Sequence, residues 1–349
     1  MGKSECRIGK RVVGRDYEPF VVAEIGQAHE GSLGTAHAYI DAVAKSGADA
    51  IKFQTHIAEA ESSPGEAFRL NVFPQDNTRY DYWKRMEFTP EQWEALAQHA
   101  TDEGLIFLST PFSMEAVDLL EDIGVPAWKV GSGEVTNKPM LIRMAETGKP
   151  VLLSSGMSTW AELDQAIKWI EPLNSEVAIF QCTTSYPCPP EQLGLNALQS
   201  MLERFPYPIG LSDHSGTVFG SLAAIALGAS LIEIHTTFSK QCFGPDVSSS
   251  ITLDELSHLC DGAKFIHTAN QNPVDKDQEA HAREDLRILF SKSLVAKRRI
   301  ELGATIEEED VALKKPGTGI PAARLSEFIG RRATRAYEPN DQLLENEIE

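Results

Sequence analysis

The sequence predicts an α/β fold, a (β/α)8 barrel followed by a small β-rich C-terminal domain. Three observations carry this reading. Short β-type runs alternate with helical patterns from Phe20 to about His267, the signature of βα units around a parallel sheet. Eight such runs can be counted, and eight parallel strands favour a closed barrel over an open doubly wound sheet. The chain has 349 residues, against roughly 250 for a barrel alone, which leaves room for one small appendage.

The runs are FVVAEIG (20–26), DAIKFQTH (49–56), LIFLSTPF (105–112), AWKVGSGE (127–134), VLLSSG (151–156), VAIFQCTT (177–184), PIGLSDHS (208–215) and LIEIHTTF (231–238). Helix boundaries between them are marked. Thr89-Pro90-Glu91-Gln92 sets Pro at the first helical position inside a capping box, and Gly104 follows that helix as its C′ residue. Thr159 with Glu162 and Thr252 with Glu255 repeat the box. Ala36, Tyr39, Ile40 and Val43 share one helical face, as expected of a helix packed on a barrel. The longest gap, 57–87, is rich in Pro, Asn, Asp, Ser and Tyr and is expected to be an active-site loop insertion. The barrel domain is placed at 1–268 and a polar linker at 269–289. A compact domain of short strands and turns then occupies 290–349, with too little core to stand without docking on something larger.

Composition limits the function. A formal charge of −19 argues against a nucleic-acid or anionic-membrane partner, so an anionic ligand must be captured locally. No apolar run approaches the ~20 residues of a membrane span, and the N-terminal segment lacks the apolar core of a secretory signal. Five cysteines, Cys6, Cys182, Cys188, Cys242 and Cys260, form no CxxC pair and suit a reducing compartment as packing residues. A cytoplasmic location is the expectation.

In such a barrel the polar residues that end each strand face one mouth. Here they are Glu24, Lys52 and Gln54, Ser109 and Thr110, Lys129, Ser132 and Glu134, Ser154 and Ser155, Thr184 with Tyr186, Ser212 to His214, and Glu233 with His235. Lys52, Lys129 and Glu233 interrupt apolar runs, where a charge must be paired or line a cavity. A buried salt bridge accounts for any one of them alone. Their convergence at matching strand ends argues for a site. Hydroxyls beside small residues at three strand ends suit a phosphate or carboxylate, with the lysines supplying charge. A rival reading makes Lys52 or Lys129 a Schiff-base nucleophile.

His214 and His235 end successive strands and meet in the same mouth. Two imidazoles without cysteine ligands suggest an open site for Mn²⁺ or Mg²⁺, with Asp213 and Glu233 as ligands, outer partners or bases.

AEIGQAHEG (23–31), KFQTH (52–56), STPF (109–112), KVGSGE (129–134), SSGM (154–157), QCTTSYP (181–187), GLSDHSG (210–216) and EIHTTF (233–238) make the chain resemble a sialic acid synthase over nearly its whole length. LKKPGTGI (313–320) resembles the start of that family's antifreeze-like C-terminal domain. The resemblance implies condensation of phosphoenolpyruvate with an N-acylated amino sugar such as N-acetylmannosamine. The products would be a nine-carbon 2-keto sugar acid and phosphate. A related nonulosonic acid of the legionaminic or pseudaminic type, or a non-catalytic sugar-binding homologue, are the alternatives. By the same resemblance Lys52, Thr110, Lys129, Ser132, Ser154 and Ser212 match phosphoenolpyruvate-binding positions, and Gln54, Glu134, Tyr186 and Asp246 match sugar-contacting ones. His214 and His235 match metal ligands, and Glu24 and Glu233 match acidic residues near the reacting atoms. It further implies a homodimer in which each C-terminal domain closes the partner's active site.

The chain departs from the family at informative places. Ala28-His29-Glu30 stands where Asn-His-Asn is usual, and Thr184 where asparagine is frequent among the phosphoenolpyruvate contacts. Lys315 replaces the arginine that reaches the partner's sugar site, and lysine cannot reproduce a planar fork. Ile234 replaces another common arginine. The departures concentrate on the sugar side.

Overall fold

Each of the eight runs forms a strand: Phe20–Gly26, Ala50–Thr55, Ile106–Pro111, Trp128–Val130, Val151–Ser154, Val177–Cys182, Ile209–Asp213 and Leu231–Thr237. The structure is a computed structural model that describes residues 4–70 and 72–349. The strands are parallel and hydrogen-bonded in the order three, two, one, eight, seven, six, five, four. Strands three and four lie against each other and bring the ring near closure, without a ladder between them among the described residues.

The helices start where the side chains dictate. Thr89 and Gln92, Thr159 and Glu162, and Thr252 and Glu255 form reciprocal capping boxes for Pro90–Asp102, Trp160–Ile170 and Leu253–Gln271. In the helix Leu33–Ala44 the buried residues are Ala36, Tyr39, Ile40 and Val43. Such stripes pack against the outward strand residues Val21, Ala23, Ile51, Phe53, Leu153 and Ile179 to form the main core.

A second apolar cluster fills the inside of the barrel at its N-terminal end: Phe20, Val22, Ala50, Leu108, Ala127, Leu152, Phe180 and Leu231. Cys6, Ile8 and Val13 complete it from an N-terminal hairpin, Glu5–Ile8 paired antiparallel with Arg11–Gly14, which plugs the barrel floor. The hairpin is absent from the sequence-based expectation, because two four-residue strands flanked by charge carry almost no periodic signal.

Side chains alternate along a strand, so the next inward position lies two residues further on. From Val22, Ala50, Leu108, Ala127, Leu152, Phe180 and Leu231 that step gives Glu24, Lys52, Thr110, Lys129, Ser154, Cys182 and Glu233. The barrel interior therefore changes from apolar to charged in one layer.

The segment 57–87 is not featureless. It holds helices Ala58–Glu61 and Arg79–Met86 and a small core of Ala58, Phe73, Tyr82, Trp83 and Met86.

The chain divides into two compact units, Met1–Asn272 and Pro273–Glu349. The second unit includes helices Lys276–Ala282 and Glu284–Phe290 within the stretch read as a linker. Beyond them Ser293–Ala296 pairs antiparallel with Val311–Lys314 over a core of Leu294, Ile300, Ile306, Ile320, Phe328, Tyr337 and Leu343. No helix among the described residues is long and apolar enough to cross a membrane.

Candidate active site

The charged layer opens into a cavity of about 400 Å³ at the carboxyl ends of the strands. Of the sixteen site positions matched through the family resemblance, fifteen line it: Glu24, Lys52, Gln54, Thr110, Lys129, Ser132, Glu134, Ser154, Thr184, Tyr186, Ser212, His214, Glu233, His235 and Asp246. Lys315 belongs to the C-terminal unit, where its Nζ lies 4.8 Å from the centre of the Phe290 ring.

At the base of the cavity two lysines and two carboxylates interlock. Lys52 Nζ is 2.6 Å from Glu24 Oε2 and 3.8 Å from Glu233 Oε2, while Lys129 Nζ is 3.1 Å from Glu233 Oε1. Each lysine also donates to a hydroxyl, Lys52 to Thr110 at 2.9 Å and Lys129 to Ser154 at 2.5 Å. Ser212 donates to Glu233 at 3.1 Å.

The carboxylates are driven apart. Burial pushes the Glu24 carboxyl above the ordinary range, and the neighbouring Glu233 charge adds to this against the pull of Lys52. Burial acts on Glu233 too, but Lys129 and Lys52 outweigh it and hold the group below its ordinary value. Opposed shifts in one pocket are the usual mark of an acid paired with a permanent anion. Burial alone would lower Lys52, yet Glu233 and Glu24 raise it, so it stays an ammonium. That argues against Lys52 as a Schiff-base nucleophile, which must be an amine.

Alternation splits the hydroxyl pairs. Thr110, Ser132 and Ser154 face the cavity, whereas Ser109 Oγ faces Thr55 Oγ1 at 2.7 Å and Ser155 Oγ accepts from Cys182 N at 3.1 Å. The same rule corrects Asp213. Lying between two cavity residues, it points outward, where Oδ1 accepts from Ser215 N and Oδ2 from Ser221 Oγ, each at 2.8 Å. Gly156 passes close behind the hydroxyls: a Cβ there would lie 2.0 Å from Ser132 Oγ and 2.5 Å from Thr184 Oγ1.

His214 and His235 stand side by side, ring centres 5.4 Å apart, with Tyr186 stacked on His214 at 4.2 Å. Thr183 O lies 2.9 Å from His214 Nδ1; a carbonyl only accepts, so Nδ1 carries the proton and Nε2 is left to bind a ligand. Burial lowers His214, but Cys182 and the Thr183 carbonyl outweigh it and raise the group, so a cation at Nε2 competes with a proton. Burial lowers His235 to about 4, which keeps that ring neutral. Two imidazoles on the cavity wall suit a divalent ion of intermediate hardness whose other ligands would come from water or substrate, since among the described residues no carboxylate or thiol gathers with both as a third ligand. Elsewhere, Asp41, His99 and Glu103 gather on two outer helices as an exposed group with metal-ligand chemistry.

Several cavity residues escaped the sequence reading: Gln27, His56, Glu61, Arg69, Trp83 and Cys182. Arg69 bridges the segment 57–87 to Asp246, with Nη2 2.6 Å from Oδ1, and its guanidinium lies 4.3 Å from the centre of the Tyr186 ring. Nothing local in the sequence announces that pairing. Cys182 follows by a two-residue step from Phe180, a signal the sequence did contain.

The model of the NeuB family matches residues 39–275, and that of the SAF domain matches 291–349. The chain belongs to the NeuB family. Within the family, it is 34% identical to N,N'-diacetyllegionaminic acid synthase of Campylobacter jejuni, covering 93% of this chain and 98% of that protein. It is 32% identical to human N-acetylneuraminate-9-phosphate synthase, covering 97% and 95% respectively. Among solved NeuB-like structures, the N-acetylneuraminic acid synthetase of Leptospira borgpetersenii, in complex with citrate, superposes with a TM-score of 0.72 at 29% identity, over 82% of this chain and 98% of that one.

Proposed function

We propose that the protein condenses phosphoenolpyruvate with the aldehyde form of an N-acylated amino sugar, giving a nine-carbon 2-keto sugar acid of the sialic acid type and inorganic phosphate. The observation that carries this is the convergence, in one cavity, of Lys52, Lys129, Glu24 and Glu233 with cavity-facing hydroxyls on one side and two imidazoles on the other. The cavity suits two small substrates at once, one anionic and one polyhydroxylated.

In this reading Lys52, Lys129, Thr110, Ser132, Ser154 and Ser212 hold phosphoenolpyruvate by charge-assisted hydrogen bonds. The lysines are already paired with carboxylates, so the trianion draws them toward the hydroxyls while Glu233, kept ionised, anchors both. Gln54, Glu134, Tyr186, Asp246 and Thr184 face the sugar. His214 and His235 would hold a divalent ion, Mn²⁺ or Mg²⁺, which supplies Lewis-acid polarisation of the sugar aldehyde when bound. C3 of phosphoenolpyruvate then forms the new carbon–carbon bond, water adds at C2, and phosphate leaves from the tetrahedral carbon. Glu24, the carboxyl pushed upward by burial, is the group suited to carry the proton.

The proposal includes the domain boundaries given at 1–268, 269–289 and 290–349, a cytoplasmic location, and a domain-swapped homodimer in which Lys315 reaches the partner's sugar site. A second reading takes a dideoxy-diamino hexose as the sugar, giving a legionaminic-type product; the 34% identity to a legionaminic acid synthase over nearly the full length favours it. A panel of N-acetylmannosamine and its dideoxy-diamino relatives, assayed for phosphate release from phosphoenolpyruvate with and without chelator, separates the two. Sugar binding by calorimetry with no binding of phosphoenolpyruvate would instead identify a non-catalytic homologue.

A further inference from the structure

Three polar contacts converge on Gln54. Its Nε2 donates to Glu24 Oε1 at 2.9 Å, and its Oε1 faces Gln27 Nε2 and His56 Nε2, each at 3.3 Å. A side-chain amide is two-faced: half a turn exchanges donor and acceptor at almost no steric cost. In the flipped state the amide oxygen would confront the ionised Glu24 carboxylate and repel it, so that Gln54 no longer supports the ionised form of the acid. Groups that donate to Oε1 prevent the flip.

Because the Glu61 carboxylate only accepts, His56 Nδ1 carries a proton there, and Nε2 donates to Gln54 only in the doubly protonated ring, for which the buried Glu61 carboxylate is the counter-ion. In that form His56 is the better fixed of the two donors. Its ring is buried in a sandwich, 3.8 Å and 13° from the Trp83 ring on one face and 4.5 Å and 7° from the Phe112 ring on the other. The stack confines the ring to one plane. Glu61 fixes its position within that plane, with Oε1 2.6 Å from His56 Nδ1. Gln27, by contrast, carries the same amide ambiguity as Gln54, and its own Oε1 is buried without a hydrogen-bond partner among the described residues.

We propose that Glu61 and His56 form a positioning arm that locks the Gln54 amide in the orientation that donates to Glu24. The arm joins the segment 57–87 to the acid at the cavity base, through Glu61, His56, Gln54 and Glu24 in turn. Its geometry stands alone, and its kinetic consequence rests on the synthase reading above.

The test is a double-mutant cycle on the full chain, with crystal structures of the variants. His56→Phe keeps the aromatic sandwich and removes both ring nitrogens. It should lower kcat roughly ten- to a hundred-fold, the worth of a hydrogen bond that orders a charged group. KM for phosphoenolpyruvate should stay within about two-fold, because Lys129 and Ser154 lie outside the arm. In a Gln54→Ala background the same change should add less than about two-fold. Equal losses in both backgrounds would show that His56 acts elsewhere. In neutron-diffraction maps of H56F crystals, which tell amide nitrogen from oxygen, Gln54 should no longer present Nε2 to Glu24; a retained Nε2–Glu24 hydrogen bond would overturn the proposal whether or not the chain turns over. Glu61→Gln, nearly isosteric, supplies the same two readouts, with a smaller loss in the same direction, should H56F fail to fold. A wild-type chain that releases no phosphate with any sugar refutes the synthase reading alone, and the H56F and E61Q structures still decide the arm.

Discussion

Lys129 Nζ lies 3.1 Å from Glu233 Oε1, both groups buried at the base of the cavity, and Lys52 holds the other carboxylate oxygen more loosely at 3.8 Å. Removing one partner of a buried pair leaves a charge uncompensated, at a cost of about 3 kcal/mol or more. Lys129→Met should therefore lower the stability of the chain measurably in urea titration and abolish phosphoenolpyruvate binding in calorimetry. Glu233→Gln keeps the volume but takes from Lys129 the carboxylate it pairs with, so it should cost comparable stability and, by releasing both lysines from their anchor, reduce turnover at least a hundred-fold.

Gly156 tests the hydroxyl cradle without touching a charge. Ser132 Oγ and Thr184 Oγ1 occupy the space where a Cβ would go. Gly156→Ala should push Ser132 off its position and raise KM for phosphoenolpyruvate at least ten-fold, with a modest fall in Tm because the new Cβ would also lie 2.5 Å from Ser132 Cβ. An unchanged KM would remove Ser132 from the anion site.

The positions lining this cavity were largely legible in the sequence, because each inward residue that ends a strand is polar within an apolar run. Capping boxes at Thr89, Thr159 and Thr252 gave helix starts for a similar reason: the signal is local and chemical. What was not legible depends on contacts distant in sequence. Arg69 meets Asp246, and Cys6, Ile8 and Val13 plug a floor built from strands that follow them. Asp213 is a different case, since strict alternation from Ser212 already assigned it to the outer face.

Glu30 adopts φ of 52°, a left-handed conformation in which asparagine and glycine are far more comfortable than glutamate. The asparagine usual at this position in the resembled family fits that backbone. Glu30→Asn should raise stability by roughly 1 kcal/mol, seen as a higher Tm with unchanged activity.

His29 sets a pH limit on the fold. Its Nδ1 accepts from Gly31 N at 3.0 Å, the ring packs against Phe88, and burial depresses it to about 3. The unfolded chain takes up this proton near pH 6.5 and the folded chain does not, so stability is full above about 6.5 and falls as pH drops toward 3. His29→Gln keeps an acceptor for Gly31 and removes the titration. Its Tm should fall less steeply than the wild type's between pH 6.5 and 4.5.

The most direct test of the account is phosphate release from phosphoenolpyruvate by the purified full chain. Release should require both an N-acylated amino sugar and Mn²⁺ or Mg²⁺, stop with chelator, and be lost in a folded His235→Ala variant. Phosphate release without sugar, none with any sugar of the panel, or full activity in His235→Ala would contradict it.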